Sequence, residues 1–334
     1  MKSTVKQFVL FISLLAVLLL TACQETSDDE MIPVELAEVT RSVFYAPQYL
    51  AIELGFFADE GLDVELTTTW GGDKTMTALL SDNADVALVG AETSIYVYAQ
   101  EAKDYAVNFA QLTQTDGTFL VAKEAHDNFS WNDVEGKSFL GQRKGGMPQM
   151  VGEFVLKKHD IDPHGDLDLE QGVDFANIPG AFVSGDYEYV QLFEPTASTM
   201  EKEGAGHVIA SFGEESGLVP YTVFMAKQSF LEDNPDTVMK FTKAIYEAQK
   251  WLQENSSEEV AKALAPFFDD TELDMLAASV ERYKNQDSYA KTPIFSEEGW
   301  ENLKAIMDEA GELPEDVPFA DVVNNDFAKK VIED

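Results

Sequence analysis

Two alternating apolar runs with one helix-length segment between them constrain this chain more than any other feature. In residues 33–40, Pro-Val-Glu-Leu-Ala-Glu-Val-Thr, Val34 and Leu36 share one face while Ala37 and Val39 take the other. That pattern fits a strand covered on both sides better than a half-exposed one. The aromatic pair Phe44 and Tyr45 follows, then Pro47 near the start of a helix carrying Leu50, Ile52, Leu54 and Phe57, because proline is tolerated in a first helical turn. Gly55 and Gly61 bracket a short helical end, and Leu62, Val64 and Leu66 alternate into a second strand that stops at Trp70-Gly71-Gly72. Strand, helix and strand in this order make a βαβ unit of an α/β fold. Ligands of open α/β sheets sit beyond the strand carboxyl ends, where backbone donors and helix N-termini converge. Phe44, Tyr45, Trp70, Gly71 and Gly72 are thereby candidate ligand contacts.

The run APQYLAIELGFFADEGLDVEL, followed by WGGDKTMTALLSDNADVALVGAET, resembles the start of the substrate-binding proteins of ABC importers for nitrate, sulfonates, taurine and thiamine-pyrimidine precursors. The resemblance spans residues 33–260 and specifies the family, not the ligand. It implies a two-lobed type II periplasmic-binding-protein fold, each lobe a mixed sheet flanked by helices, with the ligand in the cleft between them. On that resemblance residues 33–117 and 218–334 form the first lobe, its C-terminal part mostly helical, and residues 118–217 form the second. The crossings near Thr115–Phe119 and Gly213–Tyr221 are expected to act as a hinge.

Residues 1–22 read as a processed segment. Lys2 and Lys6 precede an apolar stretch, Phe8 to Leu20, that is too short for a retained membrane span, and Leu20-Thr21-Ala22-Cys23 closes it. Small residues before a lone cysteine resemble the lipobox of bacterial lipoproteins, which implies diacylation at Cys23 and anchoring on the extracytoplasmic face of the cell membrane. Two acyl chains, at roughly 0.8 kcal/mol per buried methylene, hold a protein stably on a bilayer. The polar, acidic residues 23–32 then form a tether. Cys23 is the sole cysteine, so no intrachain disulfide is expected and stability must come from burial, for which the 45% hydrophobic content suffices.

The 61 acidic residues outnumber 23 basic ones, a formal net charge of −38. Nucleic acid and anionic headgroups both require a basic face and are excluded as partners. An aromatic content of 11% with clear periodicities excludes a disordered acidic chain. The acidity reads as a solvated surface.

Residues 84–90 form a buried-type strand, and Gly90-Ala91-Glu92-Thr93-Ser94 opens the next helix from Ile95, with Thr93 or Ser94 as its cap. The Glu92 carboxylate lies near the site or only complements the helix dipole; both readings stand. Residues 106–113 and 117–122 are strand-like. Trp131–Leu140 gives a helical turn and a strand that ends at Gly141-Gln-Arg-Lys-Gly-Gly-Met-Pro148. A phosphate loop needs Lys then Ser or Thr around its last glycine, and Met147-Pro148 breaks that pattern. The loop remains one whose backbone can approach a ligand through Gly145, Gly146 and Met147, while Arg143 and Lys144 either reach the ligand or are solvated. A Pro179-Gly180 turn precedes a strand, Tyr187 to Phe193, that delivers Phe193 or Glu194 at its carboxyl end before Pro195. In the relatives that bind a pyrimidine precursor, aromatics and a glutamate hold the ring here, so the resemblance implies a ligand role for Glu194. Strands at 207–213 and 221–226 flank a Gly217–Pro220 bend. Everything after is helical, with Ser256 to Glu259 a capping box and the amphipathic helices packed on the first lobe.

Catalytic patterns are absent: no Gly-x-Ser-x-Gly elbow, no free thiol nucleophile, and His159 and His164 fall five apart across Pro163, not a metal spacing. Neither an enzyme nor a metal or cofactor protein is expected. The expected function is a monomeric solute receptor whose partners are a small molecule, a membrane permease with its cytoplasmic ATPase, and the bilayer through Cys23. Aromatic faces with Glu92 and Glu194 favour a pyrimidine-like or other nitrogen heterocycle over a nitrate, sulfonate or taurine-type anion, which needs donors and few carboxylates. The other class weighed is a surface enzyme or signalling module on the same fold.

Replacing Cys23 by Ala should abolish acylation, since no other thiol exists. Membrane partitioning in detergent phase separation checks it: the variant is expected in the aqueous phase or as uncleaved precursor, and a mature lipidated product would refute the lipobox.

Overall fold

The computed structural model describes residues 31–333. The signal segment, most of the tether and Cys23 lie outside the described residues. The first strand opens at Ile32, within the stretch assigned to the tether, because the Ile32 N–H donates to Gly61 O at 2.8 Å.

Ten strands form two five-stranded sheets. Strand β1 (Ile32–Glu38) runs parallel to β2 (Leu62–Thr68) and β3 (Val86–Gly90). Val34, Leu36 and Ala37 are buried on both faces of β1, whereas the edge strand β2 alternates. Helix α1 (Ala46–Glu53) joins the first two strands, α2 (Gly72–Leu80) the next two, and α3 (Glu92–Ala99) leads to β4 (Ala106–Gln111). The chain then crosses to the second sheet as β5 (Thr118–Ala122) and β6 (Ser138–Leu140), followed by α4 (Met147–Lys158), β7 (Asp168–Glu170) and α5 (Ile178–Ser184). Strand β8 (Tyr189–Phe193), α6 (Thr196–Lys202), β9 (His207–Ser211) and α7 (Phe212–Ser216) complete that sheet's run. It returns as β10 (Thr222–Lys227), inserted antiparallel between β3 and β4. The orders are β2-β1-β3-β10-β4 and β7-β6-β8-β5-β9, so both sheets are mixed.

The two crossings are tied together. Val219 N–H donates to Gln114 O at 3.0 Å, Thr222 N–H to Thr113 Oγ1 at 2.9 Å, and Asp116 N–H to Ser216 Oγ at 3.1 Å.

Three local expectations are corrected. The helix after β3 starts at Glu92, not Ile95, and neither Thr93 nor Ser94 caps it: their hydroxyls turn back to donate to Gly90 O and Ala91 O. Pro179-Gly180 is the first turn of α5 rather than a turn between elements, a position where proline's missing N–H costs nothing. A helix, α7, precedes the Gly217–Pro220 bend.

The C-terminal helices include α8 (Pro235–Glu254), α9 (Ser257–Leu264), α10 (Leu273–Asn285) and α11 (Glu297–Glu309), and a last helix covers Asp326–Glu333. The Ser256–Glu259 capping box of α9 is present. Phe241 of α8 packs on Phe109 and Phe224 of the first sheet. Helix α10 does more than cover that sheet: its Tyr283 hydroxyl donates to Gly117 O at 2.9 Å and accepts from Glu194 N–H at 3.0 Å, and Arg282 Nη1 meets Glu194 Oε1 at 2.6 Å. It therefore fastens the crossing to the end of β8.

Phe44, fully buried, sits at this junction with ring centroids 5.0 Å from Tyr283, 5.5 Å from Tyr221 and 5.8 Å from Phe193. Gly117 must lack a side chain, as a Cβ there would stand 2.7 Å from the Phe44 ring. Substituting Arg282 by Met should leave the Glu194 carboxylate buried without its cation and cost about 3 kcal/mol, the lower end for a broken buried pair because Arg282 is partly solvated. Urea unfolding measures this, and a change below about 0.5 kcal/mol would show that the pair does not hold the junction.

Candidate ligand site in the interlobe cleft

The parallel strands β1, β2 and β3 of one sheet and β6 and β8 of the other point their carboxyl ends at one cavity of about 370 Å³, and β10 brings its amino end to it through Tyr221 and Thr222. That volume lies within the range of small-molecule sites. The first sheet contributes Val39 after β1, Trp70, Gly71 and Gly72 after β2, and Gly90, Glu92 and Thr93 after β3. The second contributes Gln142 to Pro148 after β6 and Phe193 at the end of β8. Tyr45, Trp70, Gly71, Gly72, Glu92, Thr93, Gly145, Gly146, Met147 and Phe193 thus all line the cavity.

Phe44 and Glu194 do not. Phe44 lies behind Tyr45 and Phe193 in the aromatic core, so of two adjacent rings one packs and one faces the cleft. The Glu194 carboxylate is turned toward α6 and α10: it accepts from Ser198 N–H and Ser198 Oγ, each at 2.9 Å, and from Arg282. Its acceptors are filled inside the protein, which corrects the expected ligand role.

Trp70 is the exposed residue of the set, 47% accessible at the cleft, with φ +60°. A left-handed backbone at a bulky residue costs on the order of 1–3 kcal/mol and must be imposed by its surroundings. Here Thr69 N–H donates to Glu38 O at 2.9 Å and Gly71 N–H to Val39 O at 3.1 Å, lashing both flanks of Trp70 to the end of β1.

A model of the NMT1-like family matches residues 37–265. This chain belongs to the NMT1-like family. The NMT1-like chain is 60% identical over 312 residues to the binding protein YtlA of Bacillus subtilis (strain 168), covering 93% of each, and that relative's name specifies no ligand. It is 24% identical over 322 residues to the formylaminopyrimidine-binding protein of Halalkalibacterium halodurans, covering 91% of this chain and 94% of that one. Its fold is similar to that of the alkanesulfonate-binding protein SsuA from Xanthomonas axonopodis pv. citri bound to MOPS, with a TM-score of 0.71 at 16% identity over 89% of this chain and 99% of the other. The family is NMT1-like, and the fold is the one shared by these binding proteins.

The cleft of this NMT1-like protein is electrostatically sparse. Glu92, 4% exposed, has an Oε2 without a hydrogen-bond partner, and burial pushes its carboxyl up to about 8 against the opposing N–H groups of Glu92 itself and Met147. A Cβ at Gly90 would lie 2.1 Å from that Oε2, so glycine there is what admits the carboxyl. Burial also raises the Tyr45, Tyr96 and Tyr221 hydroxyls far above their ordinary range, which keeps these cavity-lining phenols neutral. The cations of the glycine loop are engaged: Arg143 meets Asp73 at 2.9 Å and Asp174 at 3.7 Å, and Lys144 meets Glu312 at 3.4 Å.

Sequence reasoning missed Tyr96, Gln142, Phe175, Tyr221 and Thr222 as lining residues. Tyr96 carried a usable signal, as it stands four residues after Glu92 on the same helix face. Phe175 lies in a 3-10 turn within a stretch without periodicity and carried none.

Because the folded protein retains on Glu92 a proton that the unfolded chain releases from pH 4.5 upward, this group removes stability from the ligand-free protein as pH rises from 4.5 to about 8, and the loss then levels off. Asp116, raised by burial to about 6, adds a slope of the same sign over its own narrower range. The Glu92→Gln variant should melt at the wild-type temperature near pH 4.5 and above it at pH 9. Calorimetric melts of both proteins across that range test this, and parallel curves would show that the carboxyl does not titrate as described.

Proposed function

We propose that this chain is the lipid-anchored, extracytoplasmic receptor of an ABC importer and that it captures a small nitrogen heterocycle bearing an amino group. In this reading residues 33–117 and 218–334 form one lobe, residues 118–217 the other, and the paired crossings let them close over the ligand before delivery to a permease and its cytoplasmic ATPase. The receptor acts as a monomer, held on the bilayer through Cys23.

The observation that carries the ligand class is Glu92. A buried carboxyl with an unpartnered oxygen suits a ligand that supplies an N–H donor and a flat face, in a cavity whose wall includes phenols, aromatic rings and glycine backbone and whose other charged groups, Asp73, Lys74, Arg143, Lys144 and Asp174, are exposed. A basic ring nitrogen can also take the Glu92 proton, which converts a neutral contact into a charge-assisted one of about twice the strength. The formylaminopyrimidine-binding relative supports this class.

An oxyanion fits less well. The loop cations Arg143 and Lys144 are paired with carboxylates, Gly145 N–H already donates to Gln149 Oε1 at 2.9 Å, and Met147 N–H is turned to Glu92.

Mass spectrometry of small molecules released from the denatured purified protein tests the reading directly, with an amino-substituted nitrogen heterocycle expected and a retained sulfonate or nitrate overturning it. Calorimetry with the released compound tests Trp70. Stacking contributes about 0.5 to 1.5 kcal/mol and a charged hydrogen bond about 1.5 to 3, out of roughly 8 kcal/mol for a micromolar complex. Trp70→Ala should therefore weaken binding about tenfold and Glu92→Gln by more, with unchanged affinity in both placing the ligand elsewhere.

A further inference from the structure

A second, smaller cavity of about 50 Å³ shares Gln142, Phe175 and Phe193 with the main one. Those three residues are its partition from the ligand site, and the two rings, both half-buried, lie with centroids 6.0 Å apart. The charged side chains that border this side chamber are occupied elsewhere: Arg41 with Glu38 at 3.2 Å, and Glu194 with Ser198 and Arg282. Gln142 is different. It is 3% exposed, and its Nε2 donates to Gln191 O at 2.6 Å. A carbonyl can only accept, so this bond fixes which end of the amide is nitrogen and leaves Oε1 as the other end. That Oε1 is buried and has no hydrogen-bond partner. A buried acceptor left open in the wall of a ligand cavity is a contact that the ligand can complete.

We propose that the side chamber is a substituent pocket of the ligand site, and that Gln142 Oε1 selects ligands carrying a short arm with an N–H or O–H donor. The inference rests on the heterocycle reading of the main cavity. A chamber of about 50 Å³ beside a main cavity of about 370 Å³ suits a short arm of the ligand. Phe175 and Phe193 form the apolar collar around the arm, and an arm without a donor leaves the Gln142 acceptor sealed and unsatisfied. Such a penalty discriminates against the donor-less analogue more sharply than apolar contact can.

Three 4-amino-2-methylpyrimidines, carrying methyl, hydroxymethyl or aminomethyl at C5, serve as probes in titration calorimetry with the wild type, Gln142→Leu and Ile178→Phe. Ile178 borders the chamber without touching the main cavity, so the larger ring fills the pocket while Gln142 stays intact. Thermal melts check that each variant folds, and the filled variant carries the test if Gln142→Leu does not. The wild type should prefer a donor-bearing probe over the methyl compound by at least about tenfold. That preference should shrink to within about twofold in each folded variant. A wild type that binds all three probes equally, or variants that keep the full preference, would overturn the pocket while leaving the heterocycle reading in place. Failure of all three probes to bind the wild type would overturn the heterocycle reading itself, and the pocket's assigned role with it.

Discussion

Gly117 and the Phe44 ring meet with no room between them, and the architecture of the cleft depends on that contact. Phe44 comes from the turn after β1, Gly117 from the outgoing crossing, Tyr221 from the returning one, Phe193 from the end of β8 and Tyr283 from α10. Five stretches of chain thus converge on one aromatic ring at the place where the two sheets are joined. Tilted and edge-on rings at 5 to 6 Å separations contribute packing beyond simple burial and are sensitive to orientation. Around them hydrogen bonds tie the same stretches: Ser42 Oγ donates to Glu194 O at 2.7 Å, Tyr289 hydroxyl to Val43 O at 2.9 Å, and Tyr283 closes the set through Gly117 O and Glu194 N–H. The junction is thereby fixed in register while the strand ends on its cleft side are left to face a ligand.

The division of charge follows from this arrangement. Glu194 is met by Arg282, and Glu38 by Arg41, Gln48, Tyr49 and Thr68, whereas Asp116 at the crossing keeps one oxygen open outside the cavity. Glu92 is the buried carboxyl of the cleft that retains an open oxygen. A protein with 61 acidic residues can solvate nearly all of them on its surface. Of the three that line the binding cavity, Asp73 and Asp174 are exposed and Glu92 is buried, where it is costly when ionised and suits a partner arriving from outside.

The parallel strands, and with them the cavity, were legible because the βαβ pattern of residues 33–72 fixes the direction in which strand ends point. Trp70, Gly71 and Gly72 follow from that rule alone, whereas for Glu92 the sequence leaves a site role and a helix-dipole role both open. Tyr45 and Phe44 could not be told apart, since both occupy a 3-10 turn in which each residue advances about 120°, and only the packing of Tyr283 and Phe193 decides which ring goes inward. Glu194 was misread for a similar reason. Its partner Arg282 lies 88 positions further along the chain, and no local pattern reveals such a pairing. The C-terminal helices showed their amphipathic faces but not that α10 would reach across to the second sheet, because periodicity identifies an apolar stripe and not the surface it meets.

The constrained backbone at Trp70 has an optical consequence. Of the four tryptophans, Trp300 and Trp131 are buried, Trp251 is half-buried, and Trp70 alone stands open to solvent beside the cleft. Its backbone is held by the ties to β1, so the indole projects from a fixed point rather than from a loose loop. Solvent-exposed indoles emit at longer wavelength than sheltered ones, and selective excitation on the red edge favours them. A ligand stacked on Trp70, as proposed, should therefore shift the intrinsic emission of the native chain, so that a dye-free spectrum would follow loading and release in real time.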